Sequence, residues 1–255
     1  MLPQQFLEKL LNRDRFSRDV TVQGTLDLRR VTTQNMPTTL RVEGNLFLDE
    51  TSCSDVPQDL VVDRDLQAYG CTRLPKTITV GNSMIVNGCP QLYRWSEETR
   101  IKRSLIIENC PALTSLGRVL DVGKHLSIIS CGEFKDLSGQ VEVKHQLCLK
   151  HCGKLTTLPI DRVYDLHVES CGLTSLPDPF NVDQNLILVD NPALNGLPRE
   201  LNVGMNLLLN NCARVTQVSE ATSLGGQLYL RGDNKRTIIP EKLTLKVTAC
   251  SAVAA

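Results

Sequence analysis

Cys148, His151 and Cys152 lie close together in the chain, and thiols with an imidazole are the side chains that ligate zinc. A zinc site needs ligands that converge. Cys148 is the middle residue of a strand-like Leu-x-Leu stretch and points outward, whereas Cys152 follows at the inward turn, so the two diverge. His167-Val168-Glu169 carries a His-x-Glu pair but lacks the Pro-Cys-x-x-Cys partner of the zinc deaminases. No Gly-rich loop leads into a helix as in a P-loop. His125, His145, His151 and His167 fall into no Ser–His–Asp pattern. Arg231-Gly232-Asp233 spells an integrin-binding tripeptide, yet Asp233 occupies a repeat position expected to be partly buried. Arg100, Lys102 and Arg103 read as a solvated basic edge. The chain thus offers no catalytic residue, no metal site and no cofactor site. It reads as a non-enzyme.

What positions these residues is a repeat of 18 to 21 residues. Its phrase is Val-x-x-x-Leu-x-Leu-x-x-Cys, then x-x-Leu-x-x-Leu-Pro, clearest at 121–131, 142–152 and 202–212. The leading apolar residue recurs at Val22, Val42, Val62, Val80, Ile101, Val122, Val143, Val163, Val182, Val203 and Leu224, which makes eleven registers. Such a unit cannot bury its apolar face alone, and stacking on its neighbours completes a core. In Leu-x-Leu both leucines point to one side, as at Leu26/Leu28, Leu105/Ile107 and Leu207/Leu209. Each pair predicts a short strand, and successive coils predict a parallel sheet. The prolines that close the phrase (Pro57, Pro75, Pro159, Pro177, Pro198 and Pro240) lack an N–H, so the return side is expected to be extended or turned. Leu113, Leu116, Leu155, Leu158, Leu173, Leu176, Leu194 and Leu197 are expected to line the core from there.

Formal net charge is zero and the pI is near 6.9. That balance argues against a general nucleic-acid or anionic-membrane binder. The opening residues, MLPQQFLEKLLNRDRF, interrupt their apolar run with charges and do not read as a secretory signal. Ten cysteines invite a disulfide reading. However, Cys71, Cys89, Cys110, Cys131, Cys152, Cys171 and Cys212 share one place in the phrase, and other copies put Val31, Thr51, Asn191 or Asp233 there. A residue that interchanges with Asn, Asp and Thr is expected to be a free thiol. Free thiols in turn point to a reducing, cytoplasmic compartment.

The phrase L-x-L-x-x-[C/N]-x-x-L-x-x-L-P resembles the leucine-rich repeat. Its short form, as in CGKLTTLP (152–159), CGLTSLP (171–177) and NPALNGLP (191–198), is similar to bacterial leucine-rich-repeat proteins, among them type III secreted effectors. The resemblance covers about residues 20–245. It implies a β-rich solenoid, a horseshoe of about eleven coils with a parallel sheet on its concave face. The opening V-x-x-x-L departs from the usual L-x-x-L, which leaves a β-solenoid with three strand-like faces open. Some effectors of this family carry a catalytic Cys-x-Asp, but Cys53-Ser54-Asp55 sits inside a repeat and reads as a repeat cysteine displaced by two residues. Residues 1–19 form a capping segment, with Phe6, Leu7, Leu10 and Leu11 at helical spacing. Residues 246–255 read as an incomplete last coil or tail, where the chain either dimerises end to end or continues into a longer protein.

Function is expected on the outward positions of the sheet, which the core leaves free. Phe47, Tyr69, Ile85 and Ile106 make one apolar cluster, and Ile187, Val189, Leu208 and Tyr229 make another. Exposed apolar patches of this kind mark interaction surfaces. The leading expectation is a protein-binding module, with host-cell cytoplasm as its location if it is a secreted effector. The alternatives are a structural solenoid that assembles through its ends, or a carbohydrate-active β-solenoid enzyme. The last would need paired carboxylates on adjacent coils, and Asp27, Asp49 and Glu108 are too widely spread in repeat order for that.

Overall fold

Each coil carries two strands. In the computed structural model, which describes residues 1–248, the chain is a parallel β-solenoid of about eleven turns. It divides into two compact units, Met1–Gly132 with Leu137–Glu142, and Glu133–Asp136 with Val143 onward.

In the first unit the Leu-x-Leu strands run Leu26–Asp27, Leu46–Leu48, Leu66–Tyr69, Met84–Asn87, Leu105–Glu108 and Leu126–Ile129, each paired in parallel with the next. A second parallel sheet forms where the phrase showed only a leading Val. Its strands include Asp19–Val22, Thr39–Val42, Asp59–Val62, Thr77–Val80, Glu98–Ile101 and Val119–Val122. These alternate as well, with Val20/Val22, Leu40/Val42, Leu60/Val62 and Ile78/Val80 buried and their neighbours facing out. Their β-branched content suits a pleated surface. The second unit repeats the plan. Its main sheet runs from Gln146–Lys150 through Asp165–Glu169, Leu186–Val189, Leu207–Asn210 and Leu228–Arg231 to Val247–Thr248. Short strands at Arg162–Val163, Phe180–Val182, Leu201–Val203 and Ser223–Leu224 form its second sheet. The return side is turned rather than stranded, as the prolines required.

The corner between the two strands is tight. A Cβ on Gly81 would lie 2.2 Å from the Asp63 carbonyl oxygen of the coil below, and one on Gly123 would lie 2.1 Å from that of Lys102. At these two places the carbonyl of the coil below leaves no room for a Cβ, which glycine lacks. Side-chain amides and carboxylates bond from coil to coil at the same corner: Asn185 donates to Asp165, and Asn206 donates to Asn185. The opposite turn has its own device. Asn109, Ser130, His151, Ser170, Asp190 and Asn211 each adopt a φ between 52° and 55°, immediately before the residue at the cysteine position. That left-handed residue swings the chain out of the sheet and directs the next side chain inward.

At the N-terminal end, Pro3–Leu11 forms an α-helix that buries Phe6 and Leu10, with Phe6 stacked on Phe16 at 4.6 Å. Gln5 Oε1 accepts the Leu2 N–H at the helix start. Leu11, expected on the buried face, is 72% exposed, because a helix of this length turns it past the first coil. At the other end, short 3-10 helices at Gly232–Arg236 and Glu241–Lys246 bury Asn234 and Leu243. The tail expected at 246–255 begins with a strand pairing, Leu228 with Val247. Residues 249–255, Cys250 among them, lie outside the described residues. No helix among the described residues is long and apolar enough to cross a membrane.

Candidate functional site

In the second unit the outward positions of successive strands stand in register. Cys148 pairs with His167, His167 with Ile187, Ile187 with Leu208, and Leu208 with Tyr229. Ile187, Leu208 and Tyr229 therefore form one unbroken apolar row, each half-exposed, and half-exposed Val189 lies beside it in the next outward column. The first unit is less continuous. Ile85 and Ile106 adjoin, but Gln67 stands between Phe47 and Ile85. Tyr69, 38% exposed, occupies the next column and donates to Gln67 Oε1. The Arg29 guanidinium lies 5.0 Å from the Phe47 ring centroid, which further divides that cluster.

A charged group borders the apolar row. Lys150 Nζ lies 2.6 Å from Glu169 Oε2, and His167 Nε2 lies 3.3 Å from the same oxygen without hydrogen-bond geometry. The Lys150 ammonium holds the Glu169 carboxyl below its ordinary range. Burial, reinforced by Lys150, lowers the His167 imidazole. Cys148, His167, Glu169 and Lys150 thus form a block of four outward side chains on two strands. The sequence did not reveal it, because its members are 19 residues apart and meet only through the coil. Cys148, expected to point outward, is only 8% exposed. A short side chain beside the longer His167 and Lys150 sits at the base of the row and is shielded.

The cysteine position is a core column, as its periodicity required. Cys89, Cys110, Cys131, Cys152, Cys171 and Cys212 are all buried. Their thiols point back at the strand they follow: Cys110 Sγ is 3.3 Å from the Glu108 carbonyl oxygen and Cys171 Sγ is 3.4 Å from that of Glu169. Asn191 takes the same place. Its carboxamide accepts the Cys171 N–H and donates to the Val168 and Val189 carbonyls. Two expectations change here. Cys53 and Cys71 are joined in a disulfide with their Cα atoms 5.5 Å apart, so these two are not free thiols. The longer turn around Asp49, Thr51 and Ser52 carries Cys53 into the column two residues late. Asp233 is exposed, and Asn234 fills the column instead, because Gly232 starts a 3-10 turn that shifts the register by one.

The return side of the first unit holds a cleft of about 870 Å³, walled by Arg73, Lys76, Tyr93, Arg94, Trp95 and Ser96 among others. Trp95 Nε1 donates to buried Thr99 Oγ1 at 3.0 Å, and the buried Ser96 Oγ has no partner. The signal was present in the sequence, where Leu92-Tyr-Arg-Trp-Ser96 replaces Leu-x-x-Leu-Pro.

Comparison with protein-family models, with curated proteins and with solved structures gives no match.

Proposed function

We propose that this chain is a non-enzymatic protein-interaction module whose partner lies along the outward face of the Leu-x-Leu sheet in the second unit. The observation that carries this reading is the Ile187–Leu208–Tyr229 row. Three apolar side chains stand on three consecutive strands, held at strand spacing by a rigid ladder and bordered by the Lys150–Glu169 pair. A few aromatic and apolar anchors inside a polar rim dominate the energy of protein interfaces. The wider role suggested by the repeat phrase is that of a secreted bacterial effector or its recruiting domain.

Two double variants test the reading, Leu208→Asp with Tyr229→Asp, and Phe47→Asp with Ile85→Asp. A partner captured from host or bacterial lysate is identified by mass spectrometry and its affinity measured for each. The first pair is expected to abolish binding with the circular dichroism spectrum unchanged, and the second to have the smaller effect. Unchanged affinity in both would move the site off this sheet. A wild-type chain that light scattering shows as an end-to-end dimer or polymer, and that captures no other protein, would favour structural assembly.

A further inference from the structure

The first unit stacks five sulfur atoms in one column. Tyr69 pairs with Asn87, Asn87 with Glu108, and Glu108 with Ile129, so Cys71, Cys89, Cys110 and Cys131 each stand two residues beyond the same rung. Cys53 lies below them, bonded to Cys71. All five are fully buried. We propose that this column is a disulfide-exchange site, in which the Cys53–Cys71 bond passes to Cys71–Cys89 by attack of the Cys89 thiolate on Cys71 Sγ.

Three conditions favour the step. Exchange at sulfur requires attack from the side opposite the departing sulfur, and the stacking sets Cys89 on the side of Cys71 away from Cys53. Neighbouring strands lie about 4.7–4.9 Å apart, and Cα separations of about 4.4–6.8 Å accept a disulfide, so the next pair up meets the same geometric requirement as the first. The nucleophile is also prepared. The Cys110 thiol, hydrogen-bonded to Cys89, draws its ionisation below the ordinary thiol range despite burial. The electron count closes within the column. A Cys89 lone pair forms the new S–S bond, the old bond pair departs on Cys53 Sγ, and that thiolate takes up the proton Cys89 gave up. One disulfide and one thiol stand on each side, and no oxidant or reductant is consumed. Such a column can pass a disulfide from Cys53–Cys71 to Cys71–Cys89 without exposing a sulfur to solvent. The second unit cannot do the same over its length, because Asn191 interrupts the column between Cys171 and Cys212.

The test is disulfide mapping on the full chain. Oxidised protein is held at pH 8, quenched in acid, unfolded, alkylated and digested for mass spectrometry. The wild type is expected to carry Cys71–Cys89 in at least about a tenth of molecules, the ratio for two bonds within about 1.4 kcal/mol. Cys89→Ser should show Cys53–Cys71 alone. Fully reduced Cys53→Ser treated with one equivalent of diamide should form Cys71–Cys89 in place of the lost bond. Circular dichroism checks that both variants fold. A wild type without any Cys71–Cys89 bond, or a folded Cys53→Ser whose Cys71 and Cys89 both remain thiols after diamide, would overturn the proposal.

Discussion

Lys150 and Glu169 meet across adjoining strands at 2.6 Å, and His167, one rung from Cys148, is held beside them with its imidazole lowered by burial. This block makes stability depend on pH in a defined direction. A histidine whose folded pKa lies below its unfolded value of about 6.5 binds fewer protons when folded, so stability falls as pH drops through that value. Glu169, also lowered, keeps its contribution until pH falls through the carboxylate range. Urea midpoints measured from pH 8 down to pH 5 should decline for the wild type. The decline should be shallower in His167→Gln. An identical slope would mean that the imidazole is not desolvated.

Inward and outward neighbours should differ sharply in cost. Leu188 and Leu209 are fully buried, whereas Ile187 and Leu208 beside them are half-exposed. Leu188→Ala and Leu209→Ala should each destabilise by about 2–5 kcal/mol through the cavity they leave. Ile187→Ala and Leu208→Ala should cost far less. Chemical denaturation of the four variants measures the contrast, and equal losses would contradict the period-two arrangement.

Asn191 makes a prediction with its own control. Asn191→Ala strands the Cys171 N–H in the core, and an orphaned buried group costs about 1–3 kcal/mol. Asn191→Cys restores the residue type used by most copies at that place and should recover part of the loss. A cysteine variant no more stable than the alanine one would show that the thiol contributes nothing beyond its volume.

Gly81→Ala should destabilise by about 1–3 kcal/mol, the usual cost of forcing extra bulk into a packed site. The added methyl collides with the Asp63 carbonyl, which is backbone and cannot swing away. By contrast, Gly132→Ala meets nothing within 4 Å and should fall within the ordinary range for surface positions. Thermal melts of the two variants separate collision from lost flexibility.

Much of this was legible because the repeat states the core directly. Every residue expected inward in Leu-x-Leu, from Leu26 to Leu230, is buried. The second sheet was hidden by reading Val22 and its equivalents as single positions, although Val20, Leu40, Leu60 and Ile78 already showed the alternation. Leu197 is only half-buried, with Pro198 taking the inward place. The misplacements at Cys53 and Asp233 share one cause, a turn whose length differs from its neighbours. Turn length is set by local hydrogen bonds such as those of Asp49, and the periodicity of apolar residues does not record it. The Cys148–His167–Glu169–Lys150 block was illegible for a different reason, since its residues are polar, outward and joined only through register.

The corner amides give the chain a natural increment of length. Asn185 bonds Asp165 on one side and Asn206 on the other, partners 20 and 21 positions away in the chain. Excising 185–205 would join Gln184 to Asn206 and present Asp165 with another asparagine, while Leu166 would meet Leu207 in place of Leu186. A chain shortened by this whole coil keeps its rungs, whereas one shortened by half as much sets apolar against polar positions along every later strand. Duplication or loss of coils can therefore lengthen or shorten the molecule without redesigning its core, and excision of this coil removes Ile187 and sets Leu208 beside His167 in the outward row.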